Sequence, residues 1–220
     1  MEKINVITGH FGSGKSEVVI NLAKKLNAEG KKVVIVDIDI VNPFFCIRDL
    51  KDELAAEGIT VISADAHLSN AELMVVPAAV SSVFFMEDAY ILMDVGGDDS
   101  GAVVLGQYNR YFRDKPYDMY FVVNTNRPLT ADVDGVREYL KGIEKSSRLK
   151  VTKLISNTNL SYETTVEQIV SGYGIVRELS EELELPIAYT AVRKDLVEDT
   201  KEKIDGEILP VDIYMKPPWR

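Results

Sequence analysis

A single cysteine, Cys46, stands in 220 residues. An intrachain disulfide, a Cys-rich zinc site and an iron–sulfur cluster held by one chain are therefore excluded, and a reducing compartment is expected. Histidine is almost as scarce, and His67 has no second histidine nearby to make a metal pair. Positive charge is in deficit: 25 Lys and Arg face 35 Asp and Glu, for a formal net charge of −10. A phosphate-backbone binder is normally basic, so nucleic acid is a disfavoured partner. The basic run Lys145-Arg148-Lys150-Lys153 reads as a solvated helix end or strand edge. No apolar stretch reaches the ~20 residues of a bilayer span. The longest, Leu73 to Met86, is interrupted by Pro77 and Ser81-Ser82. Met1-Glu2-Lys3 leads directly into an apolar segment, without a basic leader followed by a long apolar stretch. The expectation is a cytoplasmic protein with no membrane anchor. Repeats, low-complexity tracts and linkers are also missing, so residues 1–220 are expected to form one domain with an extended, Pro-bearing tail over 207–220.

What is present is an alternation of short apolar runs with longer amphipathic ones. Strands are expected at Ile4–Thr8, Val33–Val36, Ile59–Ser63, Ala89–Met93, Met119–Val123, Val151–Ile155 and Ile187–Tyr189. Helices are expected at Lys15–Glu29, Cys46–Glu57, Leu129–Glu144 and Thr164–Glu184, with Gly30 and Gly58 closing the first two. The strands are nearly continuous apolar runs, the pattern of a sheet covered on both faces. The fold class is thus α/β: a doubly wound, mostly parallel sheet of about seven strands with helices on both sides.

Between the first strand and the first helix lies Gly9-His10-Phe11-Gly12-Ser13-Gly14-Lys15-Ser16, a Gly-x-x-x-x-Gly-Lys-Ser phosphate loop in the context that motif requires. Its glycines, Gly9, Gly12 and Gly14, let successive backbone N–H groups turn toward one anion, and the helix adds its positive dipole end. Ser13 lies within the cradle, Lys15 is expected to reach the terminal phosphates, and the Ser16 hydroxyl is expected to ligate Mg²⁺.

Two further strand ends carry acids. The second strand runs into Asp37-Ile38-Asp39 and the fourth into Asp94-Val95-Gly96-Gly97-Asp98-Asp99. In such sheets ligands bind at the carboxyl ends of the strands, where the phosphate loop also lies. Asp94 fits a Walker B role at Mg²⁺, Asp37 can share that metal shell, and Asp39 can orient the attacking water. Gly97 can bring a backbone N–H near the γ-phosphate. Guanine specificity usually demands Asn-Lys-x-Asp; neither Asn157-Thr158-Asn159-Leu160 nor Asn124-Thr125-Asn126-Arg127 supplies that aspartate. ATP is the expected nucleotide.

Together, the phosphate loop, Val36-Asp37-Ile38-Asp39, Asp94-Val95-Gly96-Gly97 and Ser156-Asn157-Thr158-Asn159 resemble the motifs of the MinD/ParA/CobQ-like group of P-loop ATPases, which includes the nitrogenase iron protein. The resemblance covers most of the chain. It implies slow, Mg²⁺-dependent hydrolysis of ATP coupled to a homodimer or a protein partner. It also implies that Asn157 contacts the adenine edge and that Ile187 to Arg193 closes over the base. The chain departs from that group at His10-Phe11, where those proteins carry lysine and glycine; a histidine, shorter and mostly neutral at pH 7, does not reproduce a lysine point charge.

The reading that follows is a slow ATPase acting as a nucleotide-controlled switch in assembly, positioning or cofactor maturation. The alternative is an ATP-dependent ligase of the dethiobiotin-synthetase or cobyrinate-synthetase type. The first of those usually has Gly-Thr-Asp-Thr-x-Val-Gly-Lys in its loop, and the second needs a glutaminase domain. A small kinase would need an arginine-rich lid, and Arg110, Arg113, Arg127 and Arg193 are scattered singly. Tyr108, Tyr111 and Phe112 share a helical side, which suits core packing or a partner surface. Asn42-Pro43-Phe44-Phe45 is the candidate moving part of switch I.

Overall fold

The apolar runs all become strands of a single sheet in the computed structural model, which describes residues 1–39, 46–63, 78–97 and 99–215. The strands are β1 (Ile4–Gly9), β2 (Lys32–Ile38), β3 (Thr60–Ser63), β4 (Ala89–Val95), β5 (Tyr117–Val123), β6 (Lys153–Ser156), β7 (Ile187–Arg193) and β8 (Ile208–Val211). Their order is β3-β2-β4-β1-β5-β6-β7-β8, and every ladder is parallel. The expected α/β architecture is present, with eight strands in place of about seven. The added one, β8, lies in the segment read as a tail. There Leu209 and Val211 are buried and Pro210 between them is exposed, a period of two. Lacking an N–H, Pro210 suits only an edge strand, which β8 is. The stretch 187–193, expected to close over the base, is β7.

The same alternation explains why both faces are covered. Val34, Val36 and Ile38 of β2 face one apolar cluster, and Val33 and Ile35 face the other. The second cluster receives Val18, Val19 and Leu22 of α1 (Lys15–Ala28) and Leu54 of α2 (Lys51–Ala56). The first receives α3 (Ala78–Val83), α4 (Asp99–Gln107), α5 (Asn109–Phe112), α6 (Val133–Ser147) and α7 (Val166–Leu183) through residues such as Val80, Leu105, Phe112, Leu140 and Val176. Each fully buried aliphatic side chain contributes roughly 1.5–3 kcal/mol to that packing. The last helix, α8 (Val197–Thr200), is a single turn.

Helix boundaries follow local chemistry. The helix expected from Leu129 begins at Val133 because Asp132 caps it, its side chain accepting the Gly135 N–H at 2.8 Å. Pro128–Thr130 forms a separate 3₁₀ turn ahead of it. Thr165 and Gln168 form a reciprocal capping box that starts α7. The helix expected over Cys46–Glu57 divides into a 3₁₀ turn at Ile47–Leu50 and then α2. Tyr108 and Phe112 are buried, as core packing requires. Asn42 to Phe45, His67, Leu73 to Pro77 and Asp98 lie outside the described residues.

Candidate functional site

Because β1 lies between β4 and β5, and β2 beside β4, the carboxyl ends of these strands meet on one side of the sheet. The phosphate loop leaves β1 there. Gly9 ends the strand, Gly12, Ser13 and Gly14 form the turn, and Lys15 and Ser16 open α1. The loop's carbonyls are held from outside. His10 O accepts the Ser13 N–H at 3.0 Å, and Ser13 O accepts from Asn157 Nδ2 at 2.7 Å. Gly12 O accepts from Asn124 Nδ2 at 3.2 Å and from Arg127 Nε at 3.0 Å. Among the described residues nothing accepts the N–H groups of Gly14, Lys15 and Ser16, the orphan donors expected at a helix start. Gly14 itself takes a left-handed φ of 85°, and a side chain there would meet Asn157 Nδ2.

The acids converge on the same point. Asp37 and Asp94 are register neighbours on β2 and β4, and Asp94 also pairs with Ile7 of β1. The Ser16 hydroxyl donates to Asp94 Oδ2 at 2.6 Å. Asp37 Oδ1 accepts the Asp39 N–H at 3.2 Å, and Asp37 Oδ2 accepts the Arg48 N–H at 3.3 Å. Burial pushes the Asp94 carboxyl up to about 8, and the nearby Asp37 charge pushes the same way. Burial likewise raises Asp37 to about 6, with the Asp39 charge adding and Arg48 opposing. Two buried carboxyls held at this cost, with Asp94 Oδ1 lacking a hydrogen-bond partner among the described residues, match a site for a divalent cation. Among the described residues no group of three His, Cys, Asp or Glu could hold a metal by itself. The donor set therefore suits Mg²⁺, which takes few protein ligands and fills its octahedron with water and phosphate oxygens.

Gly97 lies directly over the loop. A side chain at this position would sit 2.3 Å from Gly9 O and 2.8 Å from both Lys15 Nζ and the Phe11 N, so only glycine permits the approach. From the other side Tyr139 of α6 donates its hydroxyl to Gly97 O and takes the His10 ring edge-on at 4.7 Å. Burial lowers the His10 pKa, and the charges of Lys15 and Arg127 lower it further. His10 is thus kept neutral and packed.

A cavity of about 440 Å³ runs from the loop to an apolar end. Lys15, Ser16 and Asp39 line the phosphate side; Asn157 stands at the middle; Ile169, Ala191, Val211, Ile213 and Met215 line the far end. Asn157 spends its Nδ2 on Ser13 O and keeps Oδ1 without a partner among the described residues. The wall at Ile213 and Met215 exists because the chain after β8 is fastened to α1. Asn21 Nδ2 donates to Asp212 O and Asn21 Oδ1 accepts the Asp212 N–H, both at 2.9 Å. Glu17 accepts the N–H groups of Tyr214 and Met215 at 2.7–3.1 Å. Glu17, Asn21 and Tyr139 escaped the sequence reading, and Asn124 entered it only in the test for a guanine motif. The only sequence signal was the spacing of Glu17 and Asn21, four apart on a helix beginning in the phosphate loop. Of the basic run, Lys145 is exposed, Arg148 Nη2 donates to Gly106 O at 2.8 Å, and Lys150 and Lys153 pair with Glu144 and Asp118 at 2.6 and 2.8 Å. No helix among the described residues is long and apolar enough to cross a membrane.

Comparison with known proteins agrees with this geometry. A family model, ParA of the NUBPL iron-transfer P-loop NTPases, matches residues 1–81. An iron-sulfur cluster carrier protein of Methanocaldococcus jannaschii is 51% identical over 41 residues, 19% of this chain and 14% of the relative. The cytosolic Fe-S cluster assembly factor CFD1 of Yarrowia lipolytica is 38% identical over 65 residues, 28% of this chain and 22% of the relative. The matched segments thus span less than a quarter of either relative. Among solved structures, FtsY from Mycoplasma mycoides superposes with a TM-score of 0.58 at 18% identity, covering 87% of this chain and 61% of FtsY, a likeness of fold. Over its first 81 residues the chain is similar to the ParA/NUBPL P-loop NTPases, and the phosphate loop, the paired strand-end acids and the parallel sheet agree with that likeness.

Proposed function

We propose that the protein binds ATP with Mg²⁺, hydrolyses it slowly, and uses the bound nucleotide to control a protein partner in assembly, positioning or cofactor maturation. The observation that carries this reading is the contact of Ser16 with Asp94 beside Asp37, at the start of a helix whose preceding loop lines a cavity. Ser16, Asp94 and Asp37 would hold Mg²⁺, which supplies charge neutralisation across the terminal phosphates. Gly9, Gly12, Ser13 and Gly14 shape the anion cradle, and Lys15 points its ammonium at the same place. Asp39, on the rim of the cavity, orients the attacking water. Gly97 would offer its backbone to the γ-phosphate, and Asn157 Oδ1, which accepts no hydrogen bond from the described residues, would accept from an adenine amino group. Residues Ile169, Ala191, Val211, Ile213 and Met215 give a purine an apolar surface.

The iron–sulfur cluster role named for the relatives does not suit this chain. A cluster takes about four thiolates, and the 220 residues hold only Cys46, which is buried with its sulfur against Arg48 Nη2 at 2.9 Å. A cytoplasmic setting and action through a protein partner, or through a second copy of the chain, belong to the same proposal.

Calorimetry with MgATP, MgADP and MgGTP, followed by product analysis, tests the reading. MgATP should bind more tightly than MgGTP, and inorganic phosphate should be the sole new product besides ADP. Lys15→Ala should remove binding, and Asp39→Ala should keep binding while hydrolysis slows. Absence of any nucleotide binding would overturn the proposal, and a phosphorylated or ligated metabolite would replace the switch with a small-molecule enzyme.

A further inference from the structure

The cavity is poor in cations for the ligand proposed above. A magnesium nucleotide brings several negative charges, and the site already contains Asp37, Asp39 and Asp94. Three basic side chains line it: Lys15, Arg127 and Arg193. Arg193 is committed elsewhere. Its Nε and Nη2 donate to Asp195 at 2.5 and 2.8 Å, and its Nη1 donates to Ser161 O at 2.9 Å. Arg127 is placed differently. It lies on the turn after β5, which Asn124 holds rigid: Asn124 Oδ1 accepts the N–H groups of Asn126 and Asn159 at 3.1 Å each, and the Thr130 hydroxyl donates to Asn124 O at 2.8 Å. From there the guanidinium reaches across to the phosphate loop and lies against Gly12. A side chain at Gly12 would come within 2.8–3.1 Å of Arg127 Nε, Cζ and Nη2. Nε alone is used, on Gly12 O at 3.0 Å. Among the described residues neither Nη atom has an acceptor, and no carboxylate pairs with the group.

We propose that Arg127 is a phosphate-binding residue, held over the loop in cis so that its two free Nη groups take outer oxygens of the nucleotide's phosphate tail. This rests on the nucleotide reading above and extends it to a residue outside the phosphate-loop motif. A guanidinium suits the task because its donors form a fixed fork: one edge holds the loop while the other presents two N–H groups to an oxyanion. Lys15 neutralises the tail from within the cradle, and Arg127 does so from the rim, where His10 offers no charge. Such a contact discriminates by phosphate count, since adenosine offers it nothing.

The test compares wild-type protein with Arg127→Lys, Arg127→Gln and Arg127→Ala by calorimetry against MgATP, MgADP and adenosine. Thermal melts serve as the folding control, since the side chain is exposed. Hydrogen bonds to charged groups predict a loss of about ten- to a hundredfold in MgATP affinity for the Gln and Ala variants. Adenosine affinity should stay within about twofold, and the Lys variant, which keeps the charge but not the fork, should fall between wild type and Arg127→Gln in MgATP affinity. Wild-type affinity in Arg127→Gln would overturn the proposal, because glutamine can still donate to Gly12 O and only the charge would be gone. An equal loss for adenosine and MgATP would overturn it too, by showing that Arg127 merely braces the loop. Wild-type protein that binds no nucleotide would instead refute the reading on which the inference rests.

Discussion

Asp37 and Asp94 illustrate what single residues contribute and what they cost. Burial raises both carboxyls, to about 6 and about 8, from an ordinary value of 3.8, with the Asp39 charge adding at Asp37 and the Asp37 charge adding at Asp94. A folded-state pKa above the unfolded one gives stability that is complete below the unfolded value and is lost as pH rises through the folded one. The nucleotide-free protein should therefore lose thermal stability as pH rises from about 5 to 8. Asp94→Asn should flatten that slope, raise the Tm at pH 8, and remove any stabilisation by Mg²⁺ with nucleotide. A melting series across that range checks the sign; an Asn variant less stable than wild type at pH 8 would contradict it. These acids were legible in the sequence because each ends an apolar run that fixes its position on a parallel strand. Tyr139 was not, because nothing in an amphipathic helix reveals that one hydroxyl will donate to Gly97 O.

At the scale of elements, the strands were legible and their ends less so. Apolar content fixes where a strand must be, whereas a cap such as Asp132 or a ladder partner such as β7 fixes where an element starts and stops. The segment after residue 207 shows the difference. Its four-residue strand and its Pro210 give too little periodicity to read locally, and its place is decided by β7 and α1. Asn21 and Glu17 are polar residues one helical turn apart, which in sequence resemble a solvated stripe. In the fold Asn21 is 6% exposed, covered by chain that arrives late. Asn21→Ala would remove the partners of the half-buried N–H and C=O of Asp212, a loss of about 1 kcal/mol and a fall in Tm of roughly 2–4 °C. Hydrogen exchange should show the amides of Asp212, Tyr214 and Met215 losing protection in that variant, and MgATP should restore part of it. Unchanged protection would show that this fastening is not what holds the segment.

For the molecule as a whole, the relevant quantity is the coupling of ligand to global stability. MgATP at a hundred times its Kd stabilises a protein by about 2.7 kcal/mol, which for a domain of this size is a Tm rise of roughly 5–11 °C. Lys15→Ala should show no such rise, and MgGTP at the same concentration should show a smaller one. A larger shift with MgGTP would reverse the base preference argued from the missing aspartate. Doubly wound topology was legible from alternation alone, because a parallel sheet needs a crossover between successive strands. The far wall of the cavity was not, since it depends on which strand ends the sheet.

The fastening of Asp212 to Asn21 and of Met215 to Glu17 joins positions 191 and 198 residues apart. The helix that begins in the phosphate loop is thus completed by almost the last residues described. Closing so long a loop is slow and must follow the pairing of the strands between. During synthesis the emerging chain can form its first strands and its phosphate loop, yet the apolar end of the cavity stays unbuilt until residue 215 has left the ribosome. A truncated product would carry the most recognisable nucleotide motif in the sequence and still grip nucleotide poorly. Tight binding would in that case certify that translation had passed residue 215.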